Sequence, residues 1–267
     1  MEFIKHTVHY YTEEGDIILQ VENTHFLVHK TFLSFASEFF KSLFTCAKPS
    51  SNETIEVAES TIPIFEIIDE KSTSIEDMLS FIYPNTILNI DWNNVENLLR
   101  LSDKFIIKKL LNYCEVFLQD HFTEKIIISF ILADKYLLPT IFKESSKFIL
   151  DDIFEYECDT DFNLISKRTR ERLIHSHYIY CLEVNKFYKS CNAGGHGNWF
   201  ISDMKCVFPI PKPSIMRNYL IQILNYTYCP IRNKKHTKNF KEYFEKFEKL
   251  VKGPANMNDY YPFIELE

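Results

Sequence analysis

Near its start, the chain has two short stretches whose residue pattern predicts a β-hairpin. In 16–21, Ile17, Leu19 and Val21 alternate with Ile18 and Gln20, and in 25–29, Phe26 and Val28 resume this alternation. Side chains of a strand point alternately to opposite faces, so this spacing is typical of a strand with one buried face. Polar residues 22–24 separate the two stretches and supply turn chemistry, which predicts that the two strands pair as a hairpin.

After the hairpin the apolar spacing changes to that of a helix. Between residues 31 and 44 the apolar residues recur three and four positions apart, as they do on one face of a helix. Ser37 is a good N-cap residue, so the stretch can also form two short helices that meet at an angle. Both interpretations bury the same stripe, which contains Phe32, Leu33, Ala36, Phe39, Phe40, Leu43 and Phe44.

A second strand region and a third helix follow a polar connector. The connector contains a possible short strand at 54–57, and an apolar stretch at 62–69 predicts a longer one. Pro63 favours an edge position or the start of that strand, because proline has no N–H to donate to a neighbour. Ser74 can cap a helix over 75–83.

Helical spacing dominates the next part of the chain, and turn residues dominate the last part. Glycines and prolines cluster in 192–199 and 208–213, which predicts loops there. The predicted helices are one long helical stretch over 91–118, then 123–135, a helix over 139–150 opened by Pro139, 161–176 with Asp161 as its cap, and a last helix over 236–252.

Composition excludes several classes of protein. The chain has 46% hydrophobic and 25% charged residues, and 30 Lys+Arg against 37 Asp+Glu give a net charge of −7. An acidic excess argues against nucleic acid or a membrane surface as the main partner. No apolar run approaches the roughly 18 residues of a membrane span, and the start lacks the apolar stretch of a secretory signal. Seven scattered cysteines then indicate reduced thiols in the cytoplasm, the nucleus or both.

The order of these elements and their motifs resembles the BTB/POZ domain. The resemblance covers 14–122 and implies an α+β fold, with a small mixed sheet flanked by short helices. Residues 123–190 resemble the BACK-like helical extension of many BTB proteins, whereas 191–267 is an irregular C-terminal region of unknown role that ends in a helix. The BTB residues are Asp16-Ile17-Ile18-Leu19, Phe26-x-Val28-His29-Lys30, Leu33, Ser37, Phe40, Phe44, Met78-Leu79-x-Phe81-Ile82-Tyr83, Leu98-Leu99-x-Leu101-Ser102-Asp103 and Leu110-x-x-x-Cys114.

The resemblance implies a protein-interaction module rather than an enzyme. BTB domains commonly form homodimers, and many bind cullin-3 as adaptors that present a protein substrate for ubiquitin transfer. Exposed apolar surface on such a small domain marks a contact site, and a twofold axis would make the contact isologous. The predicted dimer interface is the aromatic stripe of Phe32, Phe35, Phe39 and Phe40.

Asp16 and Lys30 are the candidate charged pocket. In BTB domains an acidic and a basic residue at these positions approach each other at the central groove of the dimer. The pair is then either a pocket that recognises a partner or an ion pair that stabilises the hairpin. His29 is expected to make a buried hydrogen bond rather than to titrate.

The cullin-3 contact is the less regular part of the resemblance. Adaptors of this type carry a hydrophobic-x-Glu motif after the second short helix, but residues 48–50 do not fit it. Val57 and Glu59 satisfy the pattern further along, and Phe81 and Tyr83 lie where the family's remaining contact surface begins. The alternative function is a BTB scaffold or regulator of a transcriptional, cytoskeletal or antagonist complex, without coupling to ubiquitination.

The C-terminal third offers residues for other chemistry but no recognisable motif. Cysteines and histidines that could bind zinc have none of the close spacings of zinc knuckles, so we predict no metal, no cofactor and no catalytic site. Kelch repeats, a MATH domain and tandem zinc fingers are not recognisable. The candidate zinc ligands are His175, His177, Cys181, Cys191, His196, Cys206 and Cys229, and the candidate partner-binding aromatics are Trp199, Phe200, Phe208, Tyr226 and Tyr228.

Overall fold

A computed structural model describes residues 3–46, 54–57, 60–193, 212–216 and 262–266; side chains are described in these ranges except at 54–57, 60 and 187–193. The chain divides into two compact units, Met1–Asp120 and His121–Glu267. The predicted helix 236–252 and most of the two predicted loops lie outside the described residues.

The first unit contains a mixed five-stranded sheet of order β1-β3-β2-β5-β4. β2 and β3 form an antiparallel hairpin in which Ile17 pairs with Val28 and Val21 pairs with Thr24, so the predicted hairpin is confirmed. β1 runs parallel to β3, and β5 runs parallel to β2. The strands are β1 (Ile4–Tyr10), β2 (Ile17–Val21), β3 (Thr24–Val28), β4 (Thr54–Val57) and β5 (Ser60–Ile67).

Pro63 lies inside β5, which is not an edge strand. The first half of β5 pairs with β4, where Pro63 is opposite Thr54. Pairing with β2 begins only at Ile64, opposite Ile18. The proline therefore immediately precedes the segment that bonds to β2, and the predicted edge position is wrong.

The stripe at 31–44 forms two helices, as the second interpretation predicted. These are α1 (Lys30–Ala36) and α2 (Glu38–Cys46), separated by Ser37 in an extended conformation. The Ser37 hydroxyl accepts the Phe40 N–H at 3.1 Å and donates to the Phe105 carbonyl oxygen. One buried serine thus caps α2 and links it to a distant part of the unit.

Helix α3 (Ser72–Ile82) begins two residues before the predicted cap, Ser74. The Ser72 N–H donates to Glu22 Oε2 at 2.9 Å, and this contact lowers the pKa of Glu22. The N-terminus of α3 is therefore capped by a side chain 50 positions away. No local pattern could reveal such a cap.

The predicted helical stretch at 91–118 forms two helices, α4 (Val95–Lys104) and α5 (Lys108–His121). The helical conformation is interrupted at Ile106, whose φ of 53° is in the left-handed region. This conformation is costly for a β-branched residue. The flanking Phe105 and Ile107 are both buried, so the break lets both side chains enter the core.

The described part of the second unit consists mainly of helices. Phe130 of α6 stacks on Phe142 of α7, with ring centroids 4.5 Å apart. Ser166, not Asp161, caps the long helix, since its hydroxyl accepts the Thr169 N–H at 3.1 Å. The helices are α6 (Ile126–Lys135), α7 (Pro139–Asp151), α8 (Ile153–Glu157) and α9 (Lys167–Ala193), with 3₁₀ turns at Phe122–Glu124 and Thr160–Leu164.

Helix α9 is much longer than predicted. It spans 27 residues and continues through 192–193, the first two residues of a predicted loop. Within the part of the chain that the structure describes, no helix is both long and apolar enough to cross a membrane.

Candidate protein-interaction surface

Helix α1 presents aromatic side chains that the first unit does not cover. Phe35 is 86% exposed and Phe32 is 39% exposed. Phe39 is half-buried, because its ring packs edge-on against Phe105 at 5.4 Å. Phe32 and Phe35 of α1, together with Phe39 at the start of α2, are called the α1 face below. A large exposed aromatic ring of this kind is typical of an interaction site.

Phe40 does not belong to the α1 face. Its side chain is 0% exposed and stacks on the Phe105 ring, with centroids 5.0 Å apart and planes at 19°. The helical spacing placed all four phenylalanines on one stripe, but the turn at Ser37 directs Phe40 inward. Phe40 is therefore a core residue, which corrects its assignment to the predicted dimer interface.

A part-buried hydrogen bond between His29 and Tyr83 lies next to the Phe32 ring. The Tyr83 hydroxyl oxygen accepts the His29 backbone N–H at 2.9 Å and also lies 2.9 Å from His29 Nδ1. Burial raises the pKa of Tyr83 well above its usual value, so the hydroxyl keeps its proton and can donate it to Nδ1. Phe32 packs on both rings, at 5.4 Å from His29 and 5.1 Å from Tyr83. The buried hydrogen bond expected for His29 is present.

Two further rings belong to the same cluster but were not identified from the sequence. Tyr11 stacks on Tyr83 with centroids 4.9 Å apart, and His9 lies 5.5 Å from Tyr83. His9 Nε2 is 3.1 Å from the Ser80 hydroxyl. Burial, with a smaller contribution from nearby His6, lowers the pKa of His9 to about 4. His9 is thus a neutral core residue at physiological pH.

Asp16 and Lys30, the predicted charged pair, are joined by a hydrogen bond between the Asp16 carboxylate and the Lys30 backbone. Asp16 Oδ1 accepts the backbone N–H of Lys30 at 2.7 Å, at the first residue of α1. A carboxylate at this position satisfies an unpaired N–H and interacts favourably with the helix dipole. The contact fixes the start of α1, and with it the orientation of the α1 face. The predicted pocket for a partner stays a prediction.

Strand β1 is a second exposed feature that the sequence analysis did not identify. Phe3, Ile4 and Val8 are all exposed. The strand lies at one end of the described sheet, beside β3. The β-branched residues Ile4, Thr7 and Val8, a residue type that is enriched in strands, were the available signal.

The predicted cullin contacts lie in different environments. Phe81 is half-buried and packs edge-on against the exposed Tyr113 at 5.4 Å. Tyr83 is only 3% exposed and its hydroxyl is already hydrogen-bonded, so it is a core residue rather than a contact for a partner. Val57 is in β4, but its side chain and all of Glu59 lie outside the described residues.

Of the candidate zinc ligands, His175, His177 and Cys181 lie on α9, where burial lowers the pKa of His177 and raises that of Cys181. No three His, Cys, Asp or Glu side chains converge as a metal site among the described residues. Cys191 is in α9 without a described side chain. The remaining zinc and aromatic candidates lie outside the described residues. They are His196, Cys206 and Cys229 for zinc, and the aromatics Trp199, Phe200, Phe208, Tyr226 and Tyr228.

Comparison with known families agrees with this architecture. The BTB/POZ domain family model matches residues 10–122. The match begins four residues before the predicted boundary at 14 and includes the end of β1. Among solved structures, the chain is similar to the BTB domain of zebrafish PATZ1, at 20% identity and a TM-score of 0.32, over 40% of this chain and 76% of that one.

Two curated relatives carry the same domain name. The chain is 36% identical over 103 residues to BTB and MATH domain-containing protein 36 of Caenorhabditis elegans, which covers 39% of this chain and 29% of that protein. It is 27% identical over 160 residues to Kelch repeat and BTB domain-containing protein A55 of vaccinia virus, which covers 60% and 27% respectively. The chain thus matches less than a third of the length of either relative.

Proposed function

Residues 10–122 form a BTB/POZ domain, and from this premise we propose that the protein is a non-enzymatic adaptor that acts as a homodimer and links a partner protein to a cullin-3 ubiquitin ligase. The second unit serves as the BACK-like helical extension and, with the region beyond it, carries the surface for a protein substrate. The cytoplasm, the nucleus or both are the proposed location.

The α1 face is the observation that carries the dimer proposal. A ring that is 86% exposed, beside a second that is 39% exposed, is unfavourable in water unless another surface covers it. A second copy of the same face provides a matching aromatic surface through a twofold axis. The Asp16 cap and the His29–Tyr83 hydrogen bond fix the face before binding, which reduces the entropy lost on association.

Cullin coupling is supported by the resemblance and by one partly exposed aromatic pair. Phe81 and Tyr113 form a ring contact at the end of the BTB core, and Tyr113 is exposed. With Tyr83 buried, this pair replaces it in the proposed contact. The vaccinia relative combines BTB and kelch repeats in its name, which agrees with an adaptor built around the BTB domain.

A binding measurement with purified components tests the cullin proposal. The full chain is titrated with the N-terminal half of cullin-3 by calorimetry, beside an established BTB adaptor as positive control. We expect binding at micromolar Kd or tighter, weakened at least about tenfold by Phe81→Ala or Glu59→Ala, because truncation of a hot-spot residue costs about 2 kcal/mol or more. Phe154→Ala, an exposed aromatic of the second unit, is the matched control and is expected to bind like the parent.

The alternative is a dimeric BTB scaffold or regulator not coupled to ubiquitination. The burial of Tyr83 favours it, because one of the predicted cullin contacts is not available to a partner. If the parent chain does not bind cullin-3 while the control adaptor does, this alternative replaces the proposal.

A further inference from the structure

Residues 262–266 pack against helices α7 and α9 of the second unit. Pro262 and Ile264 are buried, although the segment is neither helix nor strand. The backbone N–H of Ile264 donates to the hydroxyl of Ser146 at 3.2 Å. Ser146 is on α7 and is 118 positions away in the chain.

Ser146 is well suited to receive an N–H from an extended chain. Its hydroxyl donates to the Lys143 carbonyl oxygen at 2.7 Å, which leaves its lone pairs for an incoming donor. The serine is fully buried, so an N–H that reaches it is shielded from water. This raises the value of the hydrogen bond and selects a ligand whose main chain is accessible.

Phe263 contacts two cations of α7. Its ring centroid is 4.4 Å from Lys143 Nζ and 5.9 Å from Lys147 Nζ. Lys147 is almost fully buried and pairs with Glu144 at 2.7 Å. Ammonium groups at these distances attract the face of an aromatic ring. The site therefore selects an aromatic residue at this position.

Arg172 of α9 completes the contact from another helix. Its guanidinium donates to the backbone carbonyl oxygen of Glu265, whose own side chain is exposed. The two helices thus form hydrogen bonds with the main chain of the segment at Ile264 and Glu265. The side chains of Pro262 and Ile264 are buried, and the Phe263 ring contacts Lys143. Main-chain hydrogen bonds combined with side-chain pockets are a general mode of recognition for extended peptides.

We propose that Lys143, Ser146, Lys147 and Arg172 form a binding groove for an extended peptide of a partner protein, with the pattern proline-aromatic-aliphatic. Segment 262–266 (Pro-Phe-Ile-Glu-Leu) occupies this groove as an exchangeable internal ligand. Two of its contacts use backbone atoms, so a partner peptide of the same pattern can replace them.

Fluorescence anisotropy with a labelled peptide of sequence Pro-Phe-Ile-Glu-Leu tests this proposal on the full chain. The release variant, Phe263→Ala with Ile264→Ser, removes the side chains that hold the internal segment. A tethered ligand competes at an effective concentration of about millimolar, so we expect the release variant to bind the peptide at least about tenfold more tightly than the parent. Glu265→Gln, which keeps the backbone contact and alters an exposed side chain, is the matched control and should behave like the parent.

A groove substitution makes the test specific. Adding Lys143→Glu to the release variant places a carboxylate near the ring site and should weaken peptide binding at least about tenfold. Equal affinity of the parent and release variant, equal binding of a scrambled peptide, or no effect of Lys143→Glu would each overturn the proposal. Circular dichroism checks that each variant is folded.

If the release variant does not fold, nuclear magnetic resonance of the parent chain tests peptide binding at the same site. Unlabelled peptide at millimolar concentration should shift the amide signals of Ser146 and Ile264 in a saturable manner, and unchanged signals would overturn the proposal. Neither readout depends on dimerisation or on cullin-3, so its failure is distinct from failure of the proposed function.

Discussion

Burial sets the charge of single side chains beneath the α1 face. His9 is enclosed by the first unit and faces His6, Tyr11, Ser80 and Tyr83. Burial lowers its pKa, His6 lowers it further, and Glu76 partly opposes them. A neutral imidazole suits this position because a buried charge without a counter-ion is strongly unfavourable.

The low pKa of His9 predicts a defined loss of stability in acid. Its pKa is about 4 when folded, against 6.5 as the ordinary value. Between these values the unfolded chain binds a proton at His9 that the folded chain does not. The free energy of unfolding therefore falls as the pH decreases from 6.5 to 4, by at most about 3 kcal/mol from this group.

Urea denaturation of the parent and His9→Gln at several pH values measures this contribution. Glutamine can keep a hydrogen bond to Ser80 and does not titrate. We expect the parent to lose more stability than the variant between pH 6.5 and 4. Parallel losses would show that His9 does not contribute.

Helices α1 and α2 show how one turn separates core from surface. The helical spacing of the sequence assigned Phe35, Phe39 and Phe40 to one stripe. The extended residue Ser37 interrupts it, so Phe40 enters the core while Phe35 stays in water. The two helices therefore contribute differently: α2 directs Phe40 into the core, whereas both helices contribute to the α1 face, with Phe32 and Phe35 on α1 and Phe39 on α2.

This division predicts opposite effects for two similar truncations. Phe40→Ala should lower the free energy of unfolding by about 3–5 kcal/mol, because it leaves a cavity beside Phe105. Phe35→Ala should change it by no more than about 0.5 kcal/mol in the monomer, because its ring is exposed. Chemical denaturation at protein concentrations below the dimer Kd checks both; a large effect of Phe35→Ala there would place Phe35 in the core.

Elements with a local cause could be predicted from the sequence, and those with a distant cause could not. The hairpin, the cap at Ser37 and the helix opened by Pro139 depend on residues close together in the chain. The start of α3 depends on Glu22, and the break at Ile106 on the burial of its neighbours. Strand β1 pairs with a later strand, and its exposed apolar residues form no buried stripe that periodicity could detect.

The sequence indicated that the candidate surface is aromatic, but not which of its aromatic residues are exposed and which are buried. Helical spacing placed the phenylalanines of the α1 face on one stripe, and their role in a dimer contact stays a prediction. It could not show that Phe40 and Tyr83 are buried, because burial depends on how separate elements pack. The aromatic cluster of His9, Tyr11 and Tyr83 joins two distant parts of the chain and has no signature in either of them.

The two proposed binding features lie in different units of the chain. The first unit carries a BTB/POZ fold with an exposed aromatic helix face, and the second carries a groove filled by residues 262–266. An adaptor requires such a separation, since one surface joins copies or a ligase while another holds a partner. Each feature can be disabled by substitutions within its own unit.

The α1 face can be tested by measuring the mass of the full chain in solution. Light scattering coupled to size-exclusion chromatography should give twice 31.8 kDa for the parent at micromolar concentration. Phe35→Asp should give 31.8 kDa with unchanged circular dichroism, because it introduces two like charges at an isologous contact. A parent chain that stays at 31.8 kDa over the whole concentration range, or a Phe35→Asp variant that remains dimeric, would contradict the proposal that a second copy covers this face.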